Sequence, residues 1–268
     1  MIVVAAAGFA LLAYVYLTLP DVRSLARRNP AETAFMRIRA EQAAREGKSV
    51  RHLQRWISYS RIAPNLKRAV LVAEDDAFWD HEGVDFDQIR QSIEVNLERG
   101  RAVRGASTIT QQLAKNLYLS PARDPMRKLR ELIIARRLET ALPKARILEI
   151  YLNVIEWGDG IWGADAAART YFGVSAAALT ADQSALLAAA IVNPRLLNPA
   201  HPSARLLSRQ RMIRGRMGGV TPPAPVPVPV AEPPSIEQPP LPAEETAPIP
   251  VGTPSPTSED PVSPPLQQ

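Results

Sequence analysis

The chain has 268 residues, a length that suits one or two domains, and its 32 Lys and Arg outnumber its 27 Asp and Glu. It has no cysteine, which excludes a disulfide framework, a zinc–cysteine site and thiol catalysis. Its three scattered histidines argue against a histidine metal site. Residues 1–219 carry a net charge of +11, whereas residues 220–268 carry −6 and hold 17 of the 26 prolines. A basic body of this kind suits nucleic acid, an anionic lipid or a phosphorylated substrate.

Residues 1–20 contain no charged side chain and predict a transmembrane anchor. Residues 2–19 form an 18-residue run. As a helix this run extends about 27 Å, close to the roughly 30 Å hydrocarbon core of a bilayer. A cleaved signal peptide is the alternative, but it normally has a basic start and a small-residue cleavage site. Since the sequence shows neither, we predict an uncleaved anchor.

The charges that flank this run create a difficulty for topology. Five arginines follow it closely: Arg23, Arg27, Arg28, Arg37 and Arg39. Taken alone, the positive-inside rule would place the body of the protein in the cytoplasm.

The rest of the chain is predicted to be mostly α-helical. Residues 21–59 are charged and sparsely apolar, with one helix that ends at Gly47, and form a stalk or lead-in segment. Residues 60–219 repeat apolar positions at helical spacing, and no run alternates as a strand. Thr180 and Gln183 predict a capping box. Residues 220–268 are too rich in proline and too poor in large apolar residues to fold, so we expect a disordered tail.

The segment EDDAFWDHEG, residues 74–83, places three acids at the end of an apolar helical run. A carboxylate beside Ala73, Phe78 and Trp79 is partly desolvated, which raises its pKa toward the range where a general base works at neutral pH. A solvated acidic helix terminus is the ordinary alternative for an isolated acidic triplet.

The segment GASTITQQLAKN, residues 105–116, concentrates hydroxyl and amide side chains after a basic stretch. Ser, Thr and Gln fill five of the six positions 107–112, and Lys115 follows. This density suits hydrogen bonding to a sugar or a phosphate. A capped polar helix start is the alternative.

Three further segments carry weaker signals. In RKLRE, residues 127–131, an arginine and a glutamate stand four apart, as in a helical surface ion pair. In KARILEIYLN, residues 144–153, Glu149 and Asn153 share one face, where they could buttress a site. The core-type positions are Ile147, Leu148, Tyr151 and Leu152. GDGIWGADAAARTYFG, residues 158–173, predicts a tight glycine-rich connection before a small-residue helix. With no strand before it, this is not a dinucleotide fingerprint.

Taken together and in this order, the five segments resemble the motifs of glycosyltransferase family 51, the peptidoglycan glycosyltransferases. Within that family the chain looks like the monofunctional biosynthetic transglycosylases, because the 49 residues after 219 could not house a transpeptidase domain. The resemblance covers roughly residues 60–217. It implies a lysozyme-like domain over residues 60–219, with a large helical lobe and a small jaw lobe.

The resemblance also implies a reaction and a site. Family members polymerise lipid II: the GlcNAc 4-hydroxyl of the acceptor attacks C1 of the growing chain's MurNAc, and the undecaprenyl diphosphate leaves with inversion. By resemblance, Glu74 is the general base, and Glu131 orients cations or helps to hold a metal. Lys115, Arg123 and Lys128 match positions that face the diphosphate. The other substrate-binding positions implied by the motifs are Ser107, Thr108, Gln111, Gln112, Asn116 and Arg127.

Two details of this site stay unassigned. The family often places an arginine after its first motif, but Gln91 stands there and Arg90 one place earlier. No cofactor is implied. A divalent cation, Mg²⁺ or Mn²⁺, is compatible with the chemistry, and its ligands are unknown.

The resemblance places the body on the outer, periplasmic side of the inner membrane, because lipid II is polymerised there. This expectation takes precedence over the topology that the flanking arginines predict. A basic segment upstream of the given start would reconcile the family-based topology with the positive-inside rule. We expect lipid II, the growing glycan strand and the bilayer as partners, and no nucleic acid. The tail is a flexible spacer, or it docks a partner in cell-wall synthesis through its prolines.

Two other functions are alternatives. A lysozyme-like muramidase shares the fold and uses one glutamate, but it has no anionic leaving group, and the cations at 115, 123 and 128 argue against it. A non-catalytic membrane-anchored scaffold would not need both Glu74 and Glu131.

Overall fold

A computed structural model of the chain describes residues 6, 8–9, 17–49, 51–100, 107–122 and 124–219. Most of the predicted anchor, Arg123 and the tail from residue 220 lie outside these ranges. Contacts divide the chain into two units, Met1–Ala231 and Glu232–Gln268, and every described residue belongs to the first. None of the helices within the described residues is long and apolar enough to cross a bilayer.

The described residues confirm a mostly helical fold. The α-helices are α1 (Ala34–Arg45), α2 (Pro64–Glu74), α3 (Phe86–Glu98), α4 (Ile109–Tyr118), α5 (Pro125–Ala141), α6 (Lys144–Val154), α7 (Ala164–Phe172), α8 (Ala181–Ala190) and α9 (Ala204–Arg216). Single 3₁₀ turns lie at Arg23–Ala26, Tyr59–Arg61 and Met217–Gly219. The division into a large lobe and a jaw lobe stays a prediction.

Local sequence explains where the helices begin. Thr108 and Asp124 accept backbone N–H groups at the starts of α4 and α5 through their side chains. Pro64 occupies the first turn of α2, where a missing N–H costs nothing. The predicted capping box of Thr180 and Gln183 is present at the start of α8, with both reciprocal hydrogen bonds formed.

The expectation of no strands was wrong. A small sheet pairs β1 (Leu53–Gln54) in parallel with β3 (Ile161–Trp162), which in turn pairs antiparallel with β2 (Glu156–Gly158). Strands of two or three residues are too short to show alternation, and β1 comes from a distant part of the chain. Gly160 makes the turn between β2 and β3 with a φ of +67°, and a Cβ there would lie 2.2 Å from the carbonyl oxygen of Arg51.

Buried apolar side chains of α2, α4 and α6 belong to one hydrophobic core. The side chains of α6 that pattern analysis assigned to the core, Tyr151 among them, are fully buried. Helix α2 packs against α8 and α9, and α4 packs against α5 and α6. The C-terminal end of α2 and the N-terminal end of α4 therefore lie within one packed body.

The lead-in segment packs on this body through polar contacts from α6. Buried Arg146 donates to the carbonyl oxygens of Leu25 and Arg28 and to Oδ1 of Asn29, at 2.8–3.1 Å. Asn153 accepts from the N–H of Ile57 and donates to its carbonyl oxygen. Of the two descriptions given from sequence, stalk and lead-in, this packing fits the second.

Candidate active site

Glu74 is the last residue of α2, and its side chain is only 13% exposed. Its Oε2 accepts a hydrogen bond of 2.9 Å from Nε2 of Gln112, in the first turns of α4. Its Oε1 lies 4.0 Å from a guanidinium nitrogen of Arg209, on α9. Three helices that are far apart in sequence thus converge on one carboxylate.

The amide of Gln112 is held in one orientation by Tyr151. The Tyr151 hydroxyl donates to Oε1 of Gln112 at 2.8 Å, which turns the NH₂ group toward Glu74. Tyr151 is fully buried, and burial raises the pKa of its hydroxyl well above the ordinary value, with further contributions from the charges of Glu74 and Asp75. It therefore stays a neutral donor at physiological pH.

Burial raises the pKa of Glu74 above its ordinary value, as the apolar surroundings of its motif predicted. The hydrogen bond from Gln112 and the charges of Arg209 and Lys115 act in the opposite direction, and Asp75 adds to the rise. A carboxylate with a raised pKa is a stronger proton acceptor once it is ionised.

Asp75 and its contacts fix the N-terminus of α4 beside Glu74. Asp75 is buried, and its carboxylate accepts from the N–H of Ile109 at 2.8 Å and from Nε2 of His81 at 3.0 Å. The N–H of Gly83 donates to Nδ1 of the same ring, so the proton of a neutral His81 lies on Nε2.

The Gly83 carbonyl accepts from the hydroxyl of Thr108 at 2.7 Å. Thr108 is therefore a fully buried helix cap, and its contact with substrate stays a prediction.

The second glutamate lies in a cationic cluster on α5. Glu131 is 4% exposed and accepts hydrogen bonds from Arg127 and, at 2.6 Å, from Lys128. The Lys128 ammonium also donates to Oε1 of Gln111 at 2.8 Å and lies 3.4 Å from the Ser107 hydroxyl. Gln111 and Gln112 are consecutive, so the first turns of α4 join the two glutamates.

Lys115 lies one turn further along α4 and is partly buried. Burial is the main cause that lowers its pKa below the ordinary value, and Arg127 and Lys128 lower it further, while Glu131 and Glu74 act in the opposite direction. Its ammonium is 5.9 Å from the centre of the Phe35 ring, and it forms no ion pair within the described residues. Both glutamates thus raise the pKa of Lys115, although neither forms an ion pair with it.

Other positions singled out from sequence are placed differently. Asn116 is nearly buried and donates to the carbonyl oxygen of Gln112, one turn earlier in the same helix. Arg90 forms a surface pair with Glu94 and is 82% exposed. Arg123 lies outside the described residues.

Sequence reasoning missed two contributors to the site. The sequence assigns Tyr151 only to the core and gives no signal for Arg209. Arg209 lies 135 residues from Glu74 in a strongly basic helix, where nothing in its spacing sets it apart. The helical spacing of Tyr151 signals burial, whereas the contact of its hydroxyl with Gln112 depends on the packing of α4 against α6.

The arrangement of these side chains suits one class of enzyme. A desolvated carboxylate can remove a proton from a weak nucleophile such as an alcohol, and a neighbouring group of cations can stabilise an anionic leaving group. The site therefore suits an enzyme that transfers a group from an anionic carrier to a hydroxyl acceptor.

Comparison with known proteins agrees with this class. The profile of the Transglycosylase family matches residues 41–218. The biosynthetic peptidoglycan transglycosylase of Nitrosospira multiformis is 48% identical over 193 residues, 72% of this chain and 84% of that protein. The proteins of the same name from Laribacter hongkongensis and Chromobacterium violaceum are 48% and 46% identical over 192 residues, with the same coverage. The chain belongs to the transglycosylase family.

Proposed function

We propose that this chain polymerises lipid II into glycan strands by inverting transfer, with release of undecaprenyl diphosphate. It is a peptidoglycan glycosyltransferase of cell-wall synthesis, as its family and the shared name of its relatives support. The observation that carries the proposed mechanism is the pairing, through Gln111 and Gln112, of a desolvated glutamate with a cationic cluster.

Glu74 acts as the general base in this proposal. As the acceptor's 4-hydroxyl oxygen forms its bond to C1, its proton passes to the Glu74 carboxylate. The bond between C1 and the diphosphate oxygen breaks, and its electron pair leaves with the diphosphate. Gln112 holds Oε2 of Glu74 by a hydrogen bond, while Oε1 forms none within the described residues, so Oε1 is the oxygen that receives the proton.

Lys115 and Lys128 stabilise the departing diphosphate, and Arg123 is assigned the same role by resemblance alone. A diphosphate already leaves readily, so it needs positive charge more than a proton. Glu131 positions the cations, because its two oxygens accept separately from Arg127 and Lys128. A charge-assisted contact in a partly buried site is stronger than one at the surface.

The described residues do not form a metal site by themselves. They contain no group of three His, Cys, Asp or Glu side chains placed to hold an ion, and both oxygens of Glu131 already accept from cations. A divalent cation stays a prediction, and no step above depends on it.

One observation favours a second candidate, a lysozyme-like muramidase. A glutamate with a raised pKa also suits a general acid, which a glycosidase needs because its leaving group is a poor one. The cationic cluster argues for the transferase, since a hydrolase has no anionic leaving group to stabilise.

A product assay tests the choice. The full chain in detergent is incubated with lipid II, and separately with finished sacculi that contain no lipid II. We expect glycan strands resolved by length from lipid II, and no new reducing ends from sacculi. Release of reducing ends from sacculi, without polymer from lipid II, would establish the muramidase instead.

We also propose that the N-terminal run anchors the chain in the inner membrane, with the catalytic body on the periplasmic side. The charge-free run of residues 2–19 and a substrate whose lipid stays in the bilayer support this. A reporter that works only in the periplasm, fused after residue 219, should be active, and a cytoplasm-only reporter should be silent. The opposite pattern would overturn this topology.

A further inference from the structure

A basic cavity lies where the chain leaves its N-terminal apolar run. Its volume is about 1010 Å³, and it is lined on one side by residues 19–28 and on the other by α5. Among the described residues that line it there is one acid, Asp21, and there are five arginines. The arginines are Arg23, Arg27, Arg28, Arg136 and Arg137.

Three of these arginines belong to the five that, by the positive-inside rule, would place the body in the cytoplasm. The structure separates those five into two sets. Arg37 pairs with Glu32, and Arg39 pairs with buried Glu156 at 3.0 Å. Within the described residues, no carboxylate forms an ion pair with the side chains at 23, 27 or 28. Arg136, on the opposite wall, pairs with Glu82. The positive side chains at 23, 27 and 28 repel one another, and a bound anion would offset that repulsion.

The fold holds the two walls of the cavity together. Buried Arg146 on α6 fixes the backbone of the N-terminal wall through the carbonyl oxygens of Leu25 and Arg28. Val22 and Leu25 are buried in the core. The arginines are therefore mounted on a packed wall rather than on a free end of the chain.

The lining selects an amphiphilic anion. Guanidinium groups match the geometry of phosphate oxygens, while Leu19, Pro20 and Ala141 give the cavity an apolar side. The volume exceeds that of a lone phosphate. The cavity also follows directly on the run proposed to cross the bilayer, so lipid headgroups are its immediate surroundings.

The cavity is separate from the diphosphate site. On α5, Arg136 lies eight residues beyond Lys128, which is about 12 Å along a helix axis. We propose that this cavity binds the phosphate-bearing headgroup of an anionic phospholipid and so seats the catalytic body on the membrane surface. The proposal rests on the membrane anchoring proposed above.

The test compares two triple variants of the full chain in neutral detergent. Arg23→Gln/Arg27→Gln/Arg28→Gln removes three charges from the cavity. Arg45→Gln/Arg205→Gln/Arg211→Gln removes three charges from exposed positions outside the residues that line it. Each is titrated with soluble short-chain phosphatidylglycerol, short-chain phosphatidylcholine, inorganic phosphate and farnesyl diphosphate, with binding followed by calorimetry and by melting temperature.

We expect the wild type and the control triple to bind phosphatidylglycerol equally, and the cavity triple to bind it at least about tenfold more weakly. Phosphatidylcholine and inorganic phosphate should bind weakly to all three, and farnesyl diphosphate should bind all three alike. Equal binding of phosphatidylglycerol by both triples would overturn the proposal. If inorganic phosphate bound as tightly as phosphatidylglycerol, the cavity would be a simple anion site and the proposal would be wrong. If phosphatidylcholine bound as tightly as phosphatidylglycerol, the charge of the headgroup would not determine binding, which would also contradict the proposal. If the cavity triple does not fold, Arg27→Gln/Arg28→Gln gives the same comparison with a smaller expected loss.

Failure of this inference can be told apart from failure of the proposed function. The cavity triple should polymerise lipid II in neutral detergent at nearly the wild-type rate, because none of its residues belongs to the catalytic site. A chain that binds phosphatidylglycerol through these arginines but forms no polymer would refute the function and keep the lipid site. A chain that polymerises lipid II but shows no preference for phosphatidylglycerol would refute the lipid site and keep the proposed function.

Discussion

Glu74 and Glu131 lie in one site and are linked through consecutive residues of α4, yet their surroundings differ. Glu74 accepts one hydrogen bond from a neutral amide, and its nearest cation, Arg209, is 4.0 Å away. Glu131 accepts directly from two cations. Both carboxylates are mostly buried, at 13% and 4% exposure.

This difference separates their roles. A carboxylate that burial destabilises, with no cation bound directly, is prepared to take up a proton. A carboxylate fully engaged by an arginine and a lysine is prepared to hold them in place. In the proposed mechanism the same residue type supplies a base at one end of the site and a scaffold for cations at the other. The following experiments test that contrast.

The largest effect is expected from Glu74→Gln. Glutamine nearly matches glutamate in shape but cannot accept the proton, so polymerisation should fall on the order of 10²- to 10⁴-fold. Turnover of lipid II by the purified variant measures this, with an unchanged circular dichroism spectrum as the control. Near-wild-type turnover would remove Glu74 from the role of base.

The two glutamates should also differ in stability. Glu131→Gln leaves Arg127 and Lys128 without their counter-charge. Because Lys128 is 42% exposed and still reaches water, we expect a loss of about 1–2 kcal/mol in the free energy of unfolding rather than the full cost of a buried unpaired charge. Urea titration at pH 7 measures it.

Glu74→Gln should not lose stability in the same titration. The pKa of Glu74 is raised in the folded state, so folding favours its protonated form, and its contribution to stability falls as the pH rises above the ordinary value of 4.5. At pH 7 the glutamine variant should be as stable as the wild type or more stable, and any gain should vanish in acid. Equal destabilisation by both changes would erase the contrast.

Lys115 tests the cationic side through charge. Lys115→Ala should lower single-turnover transfer from a lipid-diphosphate donor by at least about tenfold, or roughly 1.4 kcal/mol of transition-state stabilisation. Lys115→Arg should recover only part of this, because a planar fork does not replace a compact ammonium. If the alanine variant matches the wild type at saturating substrate, Lys115 does not contact the diphosphate.

The smallest effect concerns the pH dependence of the base. Tyr151→Phe removes the hydroxyl that orients Gln112, and with it part of the hydrogen bond that holds the pKa of Glu74 down. The acid limb of the kcat/KM profile should move to higher pH, with a loss of about fivefold or less near its midpoint.

Tyr118→Phe is the matched control for this change. It also removes a tyrosine hydroxyl, at the far end of α4, and should leave the limb in place. A limb that moves equally in both variants would show a general effect of losing a hydroxyl, without a specific role for Tyr151.

Much of the fold could be predicted from the sequence. Helical spacing, the capping box at Thr180 and the glycine at residue 47 are local signals, because they depend on residues within one or two turns. The five motifs in their order were also enough to indicate the family, and they contain both glutamates. The short sheet was missed, since its strands have too few residues to show a period.

The residues alone do not indicate which acid of the triplet at 74–76 would act as the proposed base. Asp75 is more deeply buried than Glu74, but its carboxylate is used to hold His81 and the start of α4. Asp76 is exposed and faces Arg216. The motif resemblance selects Glu74 for the proposed role of base. The neighbours that surround its carboxylate come from α4 and α9, 38 and 135 residues away.

The sequence by itself determined the helices, the family and the types of side chain that the chemistry requires. Tertiary structure alone decided which charges are paired and which are not. Arg39 is neutralised by Glu156 across 117 residues of chain, while Arg27 and Arg28 line the basic cavity and form no ion pair within the described residues. The physical reason is that burial and electrostatic pairing depend on distances in space, and separation along the chain does not determine those distances.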